Sequence, residues 1–119
     1  MSVDLDRLIE RADELWEDSI IPSLSEFIGI EALSPGFEPD WELKGELNSA
    51  IELFSSWLVD QELDGMTYKI HQIEGRTPVL LVTVEGTGPG EVIFYSHLDK
   101  QPSREHLWSE GLHPLKAVR

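Results

Sequence analysis

The chain contains no cysteine, so neither disulfides nor thiolate metal ligands are available to it. Positive charge is scarce: 9 Lys and Arg stand against 23 Asp and Glu, a formal net charge of -14. Nucleic acid binding needs Lys and Arg to neutralise phosphates, so a DNA or RNA partner is not expected. An anionic membrane surface is disfavoured for the same reason. Long apolar runs are missing too. Val79-Leu80-Leu81-Val82 and Val92-Ile93-Phe94-Tyr95 are far too short to span a bilayer. Met1 to Glu10 mixes charged and apolar residues and has no signal-peptide core. A cytoplasmic location is the expectation. An acidic, solvated surface that favours solubility accounts for the charge, and so does adaptation to high salt, where self-repulsion is screened.

What is present is an ordinary globular composition, with 40% hydrophobic and 27% charged residues in 119. That length suits one domain burying roughly two-thirds of its unfolded surface. Leu5, Leu8, Ile9, Ala12, Leu15 and Trp16 recur at helical steps. Ile20, Leu24, Phe27 and Ile28 continue the stripe, with Pro22 predicting a kink or restart. Ser34 to Pro39 reads as a loop. A second helix is predicted from an N-cap at Asp40 to a stop at Gly65, on the stripe Leu43, Leu47, Ala50, Ile51, Phe54, Trp57 and Leu58. Trp16, Trp41 and Trp57 are expected in the core, and Trp108 is expected to be buried. Met66 to Ile73 and Val79 to Val84 predict a hairpin across a Gly-Arg-Thr-Pro turn. Glu91 to Tyr95 predicts a third strand, buried on both faces. From Ser96 onward no periodicity remains. The layout is α/β, with two N-terminal helices followed by three strands. A buried central strand needs neighbours on both edges, and three strands with two helices scarcely supply them.

His97 and Asp99 lie just past the end of the most apolar predicted strand, where sites cluster in α/β sheets. Imidazole is a common zinc ligand, and its second ring nitrogen usually donates to a carboxylate that fixes the tautomer. Alone, His-x-Asp is an ordinary surface pair. The string Tyr95-Ser96-His97-Leu98-Asp99-Lys100-Gln101-Pro102, however, resembles the first metal-binding motif of the aminoacylase, carboxypeptidase and carnosinase-type di-zinc metallopeptidase superfamily. Its dipeptidase-like branch is the nearest in pattern, with Ser96 here in place of the usual Gly. Other matches fall in order: Ile21 to Ile28, Leu33-Ser34-Pro35 with Phe37 and Trp41, Gly75 to Pro78, and Trp108 with Gly111-Leu112 and Pro114.

The resemblance implies that His97 binds one of two zinc ions and that Asp99 joins the catalytic machinery as the carboxylate orienting it. It implies a three-layer α/β/α zinc-exopeptidase catalytic domain, of which residues 1-119 are an N-terminal portion. The implied substrate of the complete enzyme is a peptide or N-acyl amino acid. The family's bridging Asp, paired-Glu motif, later carboxylate and distal His have no counterpart in these residues. A catalytic zinc needs about three protein ligands and an open position. The expectation is therefore a truncated chain, from a frameshift, a premature stop or a split gene, inactive alone and weak or null in zinc binding. A separately encoded C-terminal part is the implied partner. The alternative is a non-catalytic binding protein that docks its sheet edges onto a partner chain. Among the other histidines, His71 falls in a predicted strand, and His106 and His113 in the terminal loop with Glu105 and Glu110. Their spacing matches no familiar ligand pattern.

Overall fold

The computed structural model describes residues 4–119. They fall into two compact units, one running to Gly29 and resuming at Glu105–Arg119, the other Ile30–Arg104.

The first unit is mainly helical. α1 spans Leu5–Leu15, and the Asp4 side chain caps it by accepting from the Arg7 N–H at 3.2 Å. Trp16–Ile20 is a π-helical turn leading into α2, Ile21–Gly29. Here the predicted restart takes a definite form. Pro22 has no N–H to give, and the Ile21 N–H reaches back five residues to the Trp16 carbonyl. One wide turn thus absorbs the proline while the chain stays helical. Among the described residues of this unit none is fully buried, and Leu5, Leu8, Ile9 and Trp16 are all exposed. The apolar stripe was legible; its burial is not found, and Trp16 is not the core aromatic that was predicted. A 3-10 turn at Glu105–Leu107 follows in the terminal segment, and Trp108 is likewise exposed where burial was predicted.

The second unit holds the core. The predicted second helix forms as two pieces, α3 at Trp41–Lys44 and α4 at Glu46–Asp60. Gly45 separates them with φ +69, a left-handed conformation that costs a residue with a Cβ roughly 1–2 kcal/mol. Asp40 precedes α3 but makes no capping bond with its side chain. Glu38 instead accepts from the Asp40 N–H at 3.1 Å and pairs with Lys44. Leu47, Ala50 and Ile51 of α4 are buried together with Ser55, whose hydroxyl donates to the Ile51 carbonyl at 2.7 Å. Trp41 and Trp57 are half-buried.

The hairpin forms as predicted. β1, Met66–His71, runs antiparallel to β2, Val79–Val84, in a register from Met66↔Val84 to His71↔Val79. Gly65, not a helix stop, leads into β1, because α4 has already ended at Asp60. Its φ is +73, and a Cβ there would sit 3.3 Å from the Glu85 Cβ. The third strand is a correction. Glu91–Tyr95 pairs with no strand among the described residues, and the sheet has two strands, not three. Val92, Ile93, Phe94 and Tyr95 are 79%, 88%, 92% and 90% exposed, where burial on both faces was predicted. A strand exists only by exchanging N–H and C=O bonds with a neighbour, and none is placed to receive these. The fold is thus mixed α/β, with helices and a two-stranded antiparallel sheet.

Among the described residues the buried apolar core is Ala32, Leu47, Ala50 and Ile51, which is small against the conformational entropy of the chain. Leu47→Ala removes a central piece of it at a cost of about 2–5 kcal/mol. The expected outcome is loss of most far-UV helical signal at room temperature, while the exposed Leu43→Ala change leaves the spectrum as it was.

The Glu38–Lys44 pair titrates in a defined direction. The Lys44 ammonium, with help from the Asp40 N–H, holds the Glu38 carboxyl below its ordinary value, and Glu38 raises Lys44 above its own. The Glu38 contribution is present above the ordinary glutamate pKa and fades as pH falls through the lowered one. The Lys44 contribution is present below the ordinary lysine pKa and is lost as pH rises through the raised one. Carboxyl NMR titration should place Glu38 below the ordinary glutamate value, and Lys44→Gln should move it back toward that value, with the part due to the Asp40 N–H remaining.

Candidate metal centre

The motif stretch follows the exposed Val92–Tyr95 run and is held at its far end. Lys100 forms an isolated parallel bridge with Leu33. The Lys100 N–H donates to the Ala32 carbonyl at 2.9 Å, and the Ser34 N–H donates to the Lys100 carbonyl at 3.0 Å. The Lys100 ammonium turns back to donate to the Ile30 carbonyl. Ala32 is completely buried and has φ +39. A left-handed alanine stores roughly 1–3 kcal/mol of strain and persists only where its surroundings over-determine it. The Lys100 N–H on the Ala32 carbonyl is one of the contacts that hold it.

Within the loop so held, His97 and Asp99 meet. The His97 Nδ1 lies 3.1 Å from an Asp99 carboxylate oxygen and 2.9 Å from the Asp99 carbonyl oxygen. Both oxygens are acceptors, so Nδ1 carries the proton and donates to them. The neutral ring then keeps its lone pair on Nε2. This is the arrangement of a metal-binding imidazole with its orienting carboxylate. His97 is exposed and Asp99 half-exposed. Ser96, which stands where the resembled motif has Gly, is not among the described residues with positive φ, so its Cβ brings no backbone strain.

His113 is bound in the opposite sense. Its Nδ1 accepts from the Leu115 N–H at 3.1 Å, which places the proton on Nε2, 3.2 Å from Glu105. Both nitrogens are engaged, in a short terminal turn. His71 is an exposed residue of β1, and His106 belongs to the 3-10 turn. Among the described residues no three His, Asp or Glu side chains gather into a set able to hold a metal. The donor chemistry fits one zinc ligand with its carboxylate partner, and falls short of the three that a catalytic zinc requires. An open groove of about 430 Å³ runs along α4 and β1, with Glu52 and Asp60 on its wall, and includes neither His97 nor Asp99.

The sequence reading put Asp99 within reach of His97 if the loop turns back, and in the structure the two side chains are in contact. That reading missed what holds them. Lys100 stood inside the motif and Leu33-Ser34 inside another, but no periodicity signals one bridge between residues so far apart in the chain.

A single imidazole retains zinc poorly. Calorimetric titration of the chain with zinc at micromolar concentration should give no saturable uptake, and His97→Ala should behave identically. Stoichiometric uptake abolished by His97→Ala would instead make this a self-sufficient metal-binding domain.

No protein-family model matches this sequence, and no curated protein matches it.

Proposed function

We propose that this chain is the part of a zinc-dependent exopeptidase or dipeptidase-like hydrolase that brings the first metal ligand, and that it is not catalytically competent by itself. The observation that carries the reading is the Nδ1–H of His97 donating to Asp99, which leaves Nε2 as the ligating atom. Its support in sequence is the string Ser96 to Pro102 together with the ordered matches that surround it. In this reading Glu91–Tyr95 becomes a central strand once further strands pair with it, and the three-layer α/β/α domain is completed around it. Zinc, when bound by the full ligand set, supplies an activated water and polarises the scissile carbonyl. This chain's share is to present His97 at a fixed angle. The bridging carboxylate and general base come from residues outside these 119. Substrates of the complete enzyme are peptides or N-acyl amino acids.

A second reading is favoured by the exposure of Val92–Tyr95. Four consecutive bare apolar residues fit a protein that associates with a partner chain by strand addition. The two readings converge if the partner is the remainder of the hydrolase.

Reconstitution separates them. The chain is combined with a polypeptide carrying the bridging Asp, paired Glu and distal His of this superfamily. Zinc-dependent dipeptide hydrolysis is expected in the copurified pair and is lost in the His97→Ala pair. Asp99→Asn, which keeps a carbonyl oxygen but removes the charge, lowers zinc affinity roughly 10–100-fold. A pair that copurifies yet hydrolyses nothing would leave only the association reading.

A further inference from the structure

We propose that Lys100 is a positioning residue for His97, acting through a clasp that its side chain closes on the Ile30 carbonyl. An exposed lysine ordinarily keeps its ammonium in water and lays only its methylene stem on the protein. Lys100 is half-buried, and its Nζ donates to a main-chain carbonyl 70 residues away in sequence. Its main chain exchanges bonds with Ala32 and Ser34 on the same short segment. Residue 100 is therefore gripped at three points by residues 30–34, and Asp99 is its immediate neighbour.

The consequence falls on the imidazole. His97 and Asp99 are both largely accessible, and an exposed His–Asp contact alone is weak. A free neutral imidazole takes either tautomer. It is held as Nδ1–H only if the Asp99 carbonyl and carboxylate stay where they are, and the peptide joining Asp99 to Lys100 is what fixes that carbonyl. Withdrawing the ammonium from water lowers the Lys100 pKa, with Glu46 opposing the fall. The position thus carries a desolvation cost that a solvated lysine would avoid. The clasp is a property of this chain alone. Its importance for zinc rests on the function proposed above.

The test reads the tautomer of His97 by long-range proton–nitrogen NMR on the full chain at a pH where the ring is neutral. The unmodified chain is expected to show His97 chiefly as Nδ1–H. Lys100→Met, which keeps the stem and removes the donor, shifts it to a mixture dominated by Nε2–H, while the amide signals of α4 and the hairpin stay dispersed. Lys100→Arg, which retains a donor, keeps the Nδ1–H form. An unchanged tautomer in Lys100→Met overturns the proposal, as does an equal shift in Lys100→Arg. Should Lys100→Met fail to fold, the unmodified chain decides. Its Lys100 ammonium protons are expected to exchange several-fold more slowly than those of the exposed Lys69 and Lys116, and equal exchange overturns the clasp. None of these readouts involves zinc. A failed reconstitution with an intact tautomer response removes the hydrolase reading and leaves the clasp. An unresponsive tautomer with restored hydrolysis does the reverse.

Discussion

The pairing of Leu33 with Lys100 is the constraint on which the second unit depends, because it closes the chain around α3, α4 and the hairpin. Joining points roughly 67 residues apart costs about 4 kcal/mol by chain-length scaling alone. The two main-chain bonds and the Lys100 ammonium bond return about 0.5–1.5 kcal/mol each. That sum barely offsets closure and leaves nothing for the strain at Ala32. The remainder has to come from burial, and the same unit holds Ala32, Leu47, Ala50 and Ile51 out of water. The polar clasp therefore specifies where Lys100 sits, while the small apolar core supplies the free energy that keeps it there.

The rest of the unit is undersupplied. A lone two-stranded hairpin is marginal in water, and five of the six residues in each of β1 and β2 are exposed. The Val92–Tyr95 run is barer still. With only Ser96 between them, that exposed apolar run directly precedes His97 in the chain. Soluble monomers seldom present such a surface without an occupant, and unpaired strand-forming segments are templates for association. The exposed run and the incomplete donor set around His97 lie on one continuous stretch of chain. In the function proposed above, one addition would meet both: strands that pair with residues 91–95 and bring further ligands with them.

Local periodicity was enough for much of the fold. The stripes of α1 and α4, the alternation of β1 and the branched apolar run of β2 each specify an element, since helix and strand are set by residues within a few positions. Pro22 and Gly45 show the limit. Pro22 was visible as an irregularity, but a π turn beginning at Trp16 and a left-handed break before Glu46 depend on which donors the flanking helix can redirect. Glu91–Tyr95 shows a second limit. Its composition describes an environment, a strand between two others, and composition cannot create neighbours. His97 and Asp99 were legible because their contact spans two residues. The grip of Lys100 on Ile30 to Ser34 was not, because a single parallel bridge leaves no pattern in either segment.

The charge of -14 invites the thought that a bath of carboxylates keeps the Lys100 ammonium protonated in its withdrawn position. Screening argues otherwise. At physiological ionic strength exposed charges beyond about 8 Å are largely silenced, and most of the 23 acidic residues act on the solvent rather than on Lys100. Glu46 is the carboxylate whose field supports it, against the desolvation that dominates. Three of the other basic side chains are committed to ion pairs at the surface, Arg11 with Glu14, Lys44 with Glu38 and Arg119 with Glu17, each of which contributes little in water. Lys100 differs in giving its charge to a main-chain carbonyl beside a strained, buried alanine. There the same ammonium is less screened, and its bond fixes the geometry of the loop that carries His97.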